Sequence, residues 1–112
     1  MDNSTIKRLY DIFSSITEIE GYFRNIPRQF ENYRTNTMLR RAIHMNLAII
    51  GEATSQILKE HPDIEISHAR SIVNTRNYII HGYDSLRPEI IWAIVINDLP
   101  ILKQEVARLL DR

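Results

Sequence analysis

The sequence predicts an all-α fold, an up-and-down bundle of four to five helices built from one domain over residues 1–112. Two observations carry this. Apolar residues recur at three- and four-residue intervals along most of the chain, and strand-like alternation is absent. The three glycines and four prolines are few and far apart, and apolar residues make up 44%, a composition that suits compact helices and excludes disorder. A chain of 112 residues can bury roughly 65% of the surface it exposes when unfolded.

Ile6, Leu9, Phe13, Ile16 and Phe23 mark a first helix, with Asn3 or Ser4 as its expected cap. Residues 25–37 (NIPRQFENYRTNT) are broken by Pro27 and polar apart from Phe30 and Tyr33, so they read as a connection with room for one short helix. Asn36 or Thr37 is placed to cap a second helix reaching about Glu60, with Pro62 just beyond it. Ser67 is the expected cap of a third helix ending near Gly82, where the glycine is expected to be left-handed. Pro88 opens a fourth helix, which Pro100 must kink or split.

The second helix is apolar on two sides. Leu39, Ile43, Leu47, Ile50 and Ile57 form one stripe, while Met38, Ala42, Met45, Ile49 and Ala53 form another, rotated by roughly 90–100°. In so short a chain, a helix apolar on both sides implies a second subunit, and a homodimer is the expectation. Glu52 lies near the edge of the second stripe, where it can partner a buried cation.

Composition narrows the chemistry. With no cysteine, disulfides, thiolate metal sites and thiol nucleophiles are excluded. No run of about 18 apolar residues and no signal-peptide layout is present, so a soluble, cytoplasmic protein without membrane contact is expected. Net charge is zero, giving no global field toward nucleic acid. Charge is nevertheless uneven: Arg24, Arg28, Arg34, Arg40 and Arg41 face only Glu31 within residues 21–45. His44, His61 and His68 show no metal-ligand spacing, Gly51 stands alone, and no nucleophile elbow occurs.

One stretch resists a bland account: RNYIIHGY, residues 76–83. On a helix over 69–81, Ala69, Ile72, Val73, Ile79 and Ile80 make an apolar stripe with Arg76 near its centre. A guanidinium there is costly unless paired, as in an internal salt bridge to Glu52, or held in a cleft with its fork free for an anion. Asn77 and His81, four apart, share a face. Arg76 and His81 are five apart and so about 140° apart on a regular helix. A common phosphate then needs the long arginine arm, a distorted helix end, or a second copy of the site across a dimer axis.

These residues carry a family resemblance. RNYIIHGY, IIGEA at 49–53 and IIWAIVINDLPIL at 90–102 resemble the HepT branch of the HEPN families, toxins encoded beside a minimal nucleotidyltransferase. The likeness covers most of the chain from about Leu39 onward. It implies a HEPN-like helical bundle that dimerises and sets the Arg and His of both subunits around a shared cleft. The implied activity is a metal-independent ribonuclease acting on RNA, not DNA, without a cofactor. Arg76 then meets the scissile phosphate, Asn77 gives polar support, and His81 does general acid/base work. The resemblance also implies that the nucleotidyltransferase partner neutralises the toxin by transferring AMP to Tyr83. The competing expectation is a non-catalytic helical adapter that binds a nucleotidyltransferase or a nucleotide, with Arg76 a structural ion-pair residue.

Overall fold

In the computed structural model, which describes residues 1–111, every regular element is helical. In chain order these are α1 (Asn3–Tyr22), α2 (Phe30–Thr35), α3 (Thr37–Glu60), α4 (Ala69–His81), α5 (Pro88–Ala93) and α6 (Leu99–Leu109). A π-helical turn, Ile94–Asp98, joins α5 to α6 in one continuous run. Four antiparallel rods result, with α2 lying across one end. Thr5 at the start of α1 meets Glu60 and His61 at the end of α3, while Asn46 on α3 reaches Tyr22 at the end of α1. Farther along, α3 faces α4 at Gly51 and Arg76. The α5–α6 run returns beside α1, with Trp92 on Phe23 and Lys103 on Glu20.

The core forms where the stripes meet. Leu9, Ile12 and Ile16 of α1, Ile43, Ile50 and Ile57 of α3, and Leu102 and Val106 of α6 are all but sealed from solvent. Burying each such side chain stabilises the fold by about 1.5–3 kcal/mol. Tyr33 of α2 joins them, fully buried and stacked against Trp92 at 5.6 Å. The second stripe of α3 behaves differently. Met38, Met45 and Ile49 stay exposed in the single chain, and only Ala53 is buried.

Several local expectations are corrected. The residue before α1 is Asp2, and its carboxylate accepts from the Ser4 hydroxyl at 2.7 Å; neither Asn3 nor Ser4 caps the helix. Asn36 does cap α3, its Oδ1 accepting from the Leu39 N–H at 3.0 Å. Ser67 does not cap α4, which follows His68. Its backbone N–H and hydroxyl both donate to Glu105 Oε2, at 3.0 and 2.6 Å, stapling the start of α4 to α6. Gly82 is not left-handed, having φ −136°. Its N–H donates to Tyr78 O at 2.9 Å, and the chain turns through a 3₁₀ turn at Tyr83–Ser85. Pro100 does not split the last helix; of the two expected outcomes the structure shows a local distortion instead, a π turn just before it with Leu99 N–H donating to Ile94 O. On α4 the buried positions are Ala69, Ile72 and Thr75, and Ile80 turns outward.

Candidate functional site

Arg76 sits where α3 and α4 cross closest. Gly51 makes that crossing possible: a Cβ there would collide with Arg76 Cβ and lie 3.1 Å from Ile72 O. The arginine stem therefore runs along the bare backbone of α3 and is largely buried. At its end, Nη2 lies 3.1 Å from Glu52 Oε2, a carboxylate that is itself 54% exposed. The Nε–H is buried and has no acceptor among the described residues. Leaving such a donor unmade costs about 1–3 kcal/mol, so this guanidinium is only half satisfied.

Asn77 and His81 share the outer face of α4. Together with Asn74, Tyr78 and Gly82 they line an open groove of about 460 Å³. His81 is the last residue of α4 and is exposed. Arg76 is not among the residues of this groove. One chain thus presents the histidine and the arginine on different sides of the helix, as five-residue spacing on a regular helix requires.

Tyr83 begins the 3₁₀ turn after α4, and its phenol is not left loose. Its Oη lies 3.0 Å from His44 Nδ1, and His44 Nε2 lies 2.6 Å from Tyr33 Oη. The guanidinium of Arg41 sits over the Tyr83 ring, 5.7 Å from its centroid. Burial first, then the charges of Arg40 and Arg41, push the His44 imidazole down to about 4, so it is neutral near pH 7. Burial pushes the Tyr33 phenol well above its ordinary range, so it keeps its proton. A buried hydroxyl proton needs an acceptor, and His44 Nε2 is the acceptor at hand. That fixes the proton of neutral His44 on Nδ1, which then donates to Tyr83 Oη. This chain of three side chains escaped the sequence reading because its members lie 11 and 39 residues apart. The available signal was a histidine directly beside the buried stripe of α3 and a tyrosine that, with Phe30, interrupts a polar connection.

Among the described residues, one cluster has the donor types for a metal: Asp2, Glu60 and His61, with ligand atoms within 4.8 Å of one another. It lies where α1 begins and α3 ends, away from the C-terminal end of α4. Thr5 and Arg8 already engage it. No described helix is long and apolar enough to cross a membrane.

Comparison with known proteins is consistent across the chain. The ribonuclease HepT-like family matches residues 12–109. A protein of Methanocaldococcus jannaschii, provisionally named an RNase, is 31% identical over 102 residues, covering 88% of this chain and 89% of its own length. A protein of Thermococcus cleftensis named a probable ribonuclease HepT is 31% identical over 105 residues, covering 90% of this chain and 91% of its own. A further provisional RNase, from Caldanaerobacter subterraneus subsp. tengcongensis, is 30% identical over 87 residues, covering 74% of this chain and 75% of its own. No solved structure matches at a significant level. With the all-helical bundle and the Arg76–Tyr83 stretch in place, the chain belongs to the HepT-like ribonuclease family.

Proposed function

We propose that this protein is the ribonuclease toxin of a toxin–antitoxin pair, working as a metal-independent homodimer and silenced by AMP transfer to Tyr83 from a minimal nucleotidyltransferase. The observation that carries the nuclease reading is the match of residues 12–109 to the ribonuclease HepT-like family, in a chain whose Arg76 keeps part of its guanidinium side chain open to solvent beside Glu52. A phosphate oxygen is the acceptor that such a fork matches. RNA brings its own nucleophile. The ribose 2′-oxygen bonds to phosphorus, the bond from phosphorus to the 5′-oxygen breaks, and the protein only moves two protons and neutralises charge. In a dimer, His81 of one subunit takes the 2′ proton and His81 of the other supplies one to the 5′-oxygen. Arg76 holds the phosphate between them, and Asn77, in the same groove as His81, orients the strand.

The experiment is cleavage of RNA by the purified protein in the presence of a chelator. Cleavage is expected, and His81→Ala should lower it by at least about 10²-fold while the circular dichroism spectrum is unchanged. Wild-type activity in His81→Ala would end the reading. The adapter reading has one observation in its favour, the 3.1 Å pair between Arg76 and Glu52. It gains if the wild type cleaves no RNA yet forms a stable complex with the nucleotidyltransferase.

A further inference from the structure

Two tyrosines flank His81, and they differ in how they are held. Tyr78 is 60% exposed and lines the open groove, whereas Tyr83 is only 38% exposed. Accessibility alone would make Tyr78 the better acceptor for an enzyme that modifies a phenol. What Tyr83 has instead is a fixed hydroxyl, tied 3.0 Å from His44 Nδ1 with Arg41 over its ring.

We infer that His44 and Arg41 are the positioning residues that make Tyr83, and not Tyr78, the acceptor of a nucleotidyl group. The inference rests on the proposed modification of Tyr83 and names the residues that select it. Because Tyr33 occupies Nε2 of His44 at 2.6 Å, Nδ1–H donates to the Tyr83 oxygen. The phenolic proton of Tyr83 is then directed away from the core, and one lone pair of the oxygen is pinned. The reacting lone pair faces outward, where a nucleoside triphosphate held by the partner enzyme can approach. In the transfer, Tyr83 Oη bonds to the α-phosphorus, and the bond from that phosphorus to the bridging oxygen of the β-phosphate breaks. Pyrophosphate leaves, and the phenolic proton passes to the aqueous side. The Nδ1–H supports the phenol oxygen throughout, and Arg41, over the Tyr83 ring at 5.7 Å from its centroid, supplies a nearby positive charge to the phosphodiester formed on that side chain. This also gives Arg41, in the basic segment 24–41, a task that a solvated surface charge would not have.

The test uses the full chain with the purified nucleotidyltransferase partner, ATP and magnesium, with modified peptides quantified by mass spectrometry. The wild type is expected to be modified on the Tyr83 peptide. His44→Phe keeps a ring but removes the donor, and should lower modification at Tyr83 at least tenfold while shifting what remains toward Tyr78. His44→Gln, whose amide can still donate, should recover most of it, and Arg41→Gln should slow it without changing the site. If His44→Phe is modified at Tyr83 like the wild type, His44 does not position the acceptor and this inference falls, while the modification reading stands. If the wild type is not modified at Tyr83, both fall together. A second measurement holds whether or not His44→Phe folds. Long-range proton–nitrogen correlation at pH 7 should find His44 of the isolated protein neutral with its proton on Nδ1, and a proton on Nε2 or a charged ring overturns the inference.

Discussion

Glu52 decides what kind of residue Arg76 is. The pair spans 3.1 Å, but the carboxylate is 54% exposed and the guanidinium side chain 18%. A pair open to water on one side contributes about 0–1 kcal/mol, too little to explain burying an arginine. Glu52→Gln is therefore expected to change the melting temperature by no more than a few degrees and to leave RNA cleavage within about tenfold of wild type. A fall of ten degrees or more in a thermal melt would instead mark Arg76 as a structural cation. His44 makes a second residue-scale prediction. Its folded value near 4 lies below the ordinary histidine value of 6.5, so between those limits the unfolded chain binds more protons than the folded one. Stability then rises with pH across the window and is lost as pH falls from about 6.5 toward 4. Melting temperatures taken across that range should show this slope, and His44→Gln should flatten it. An unchanged slope in the variant would mean that His44 does not titrate there.

Gly51 shows how one residue sets the relation of two elements. Glycine inside a helix costs about 1 kcal/mol relative to alanine, and here it removes the Cβ that would strike Arg76 Cβ and crowd Ile72 O. Gly51→Ala forces α3 and α4 apart, and overpacking of this kind costs about 1–3 kcal/mol. A melting temperature lower by about 4–20 °C is expected, with RNA cleavage falling further than stability because Arg76 moves with α4. A variant as stable and active as wild type would show that the crossing is loose. The elements themselves were legible from sequence because each long helix declares its own period, and α3 its cap as well, with Asn36 ahead of the Leu39–Ile57 stripe. Legibility stopped where a partner distant in sequence took over. Glu105 claims Ser67 from its capping role, and the π turn before Pro100 keeps one helix where proline alone argues for a break. Gly82 invited a left-handed ending, but the 3₁₀ turn at Tyr83 holds the chain without one, in the same turn that brings Tyr83 Oη within 3.0 Å of His44.

At the scale of the molecule, the exposed stripe of α3 and the divided site call for the same remedy. Met38 is 85% exposed, Met45 64% and Ile49 42%, in a chain whose other face of the same helix is sealed. Placed at intervals of seven and four residues, they run along one side of α3 and lead toward Glu52, the partner of Arg76. Covering that side with a second copy about a two-fold axis buries the apolar stripe against itself. It also sets two Arg76 side chains near one seam, each partly open to solvent beside its own Glu52. The groove of Asn77 and His81 from one subunit can then meet the arginine of the other, which a single α4 cannot arrange across about 140°. Wild-type protein at micromolar concentration is accordingly expected to scatter light as a dimer of the 13.2 kDa chain. Met45→Glu, placed on the open stripe and outside the single-chain core, should yield a folded monomer, because a charge facing its own copy across the axis is repelled and desolvated. Cleavage should be lost with the dimer, while the far-ultraviolet circular dichroism spectrum stays helical. His81→Ala on the wild-type face, mixed in excess with wild type and exchanged, should silence the wild-type chains, since a mixed dimer holds one His81 where the cleavage step uses two. A Met45→Glu monomer that cleaves RNA at the wild-type rate would show that one chain carries a complete site.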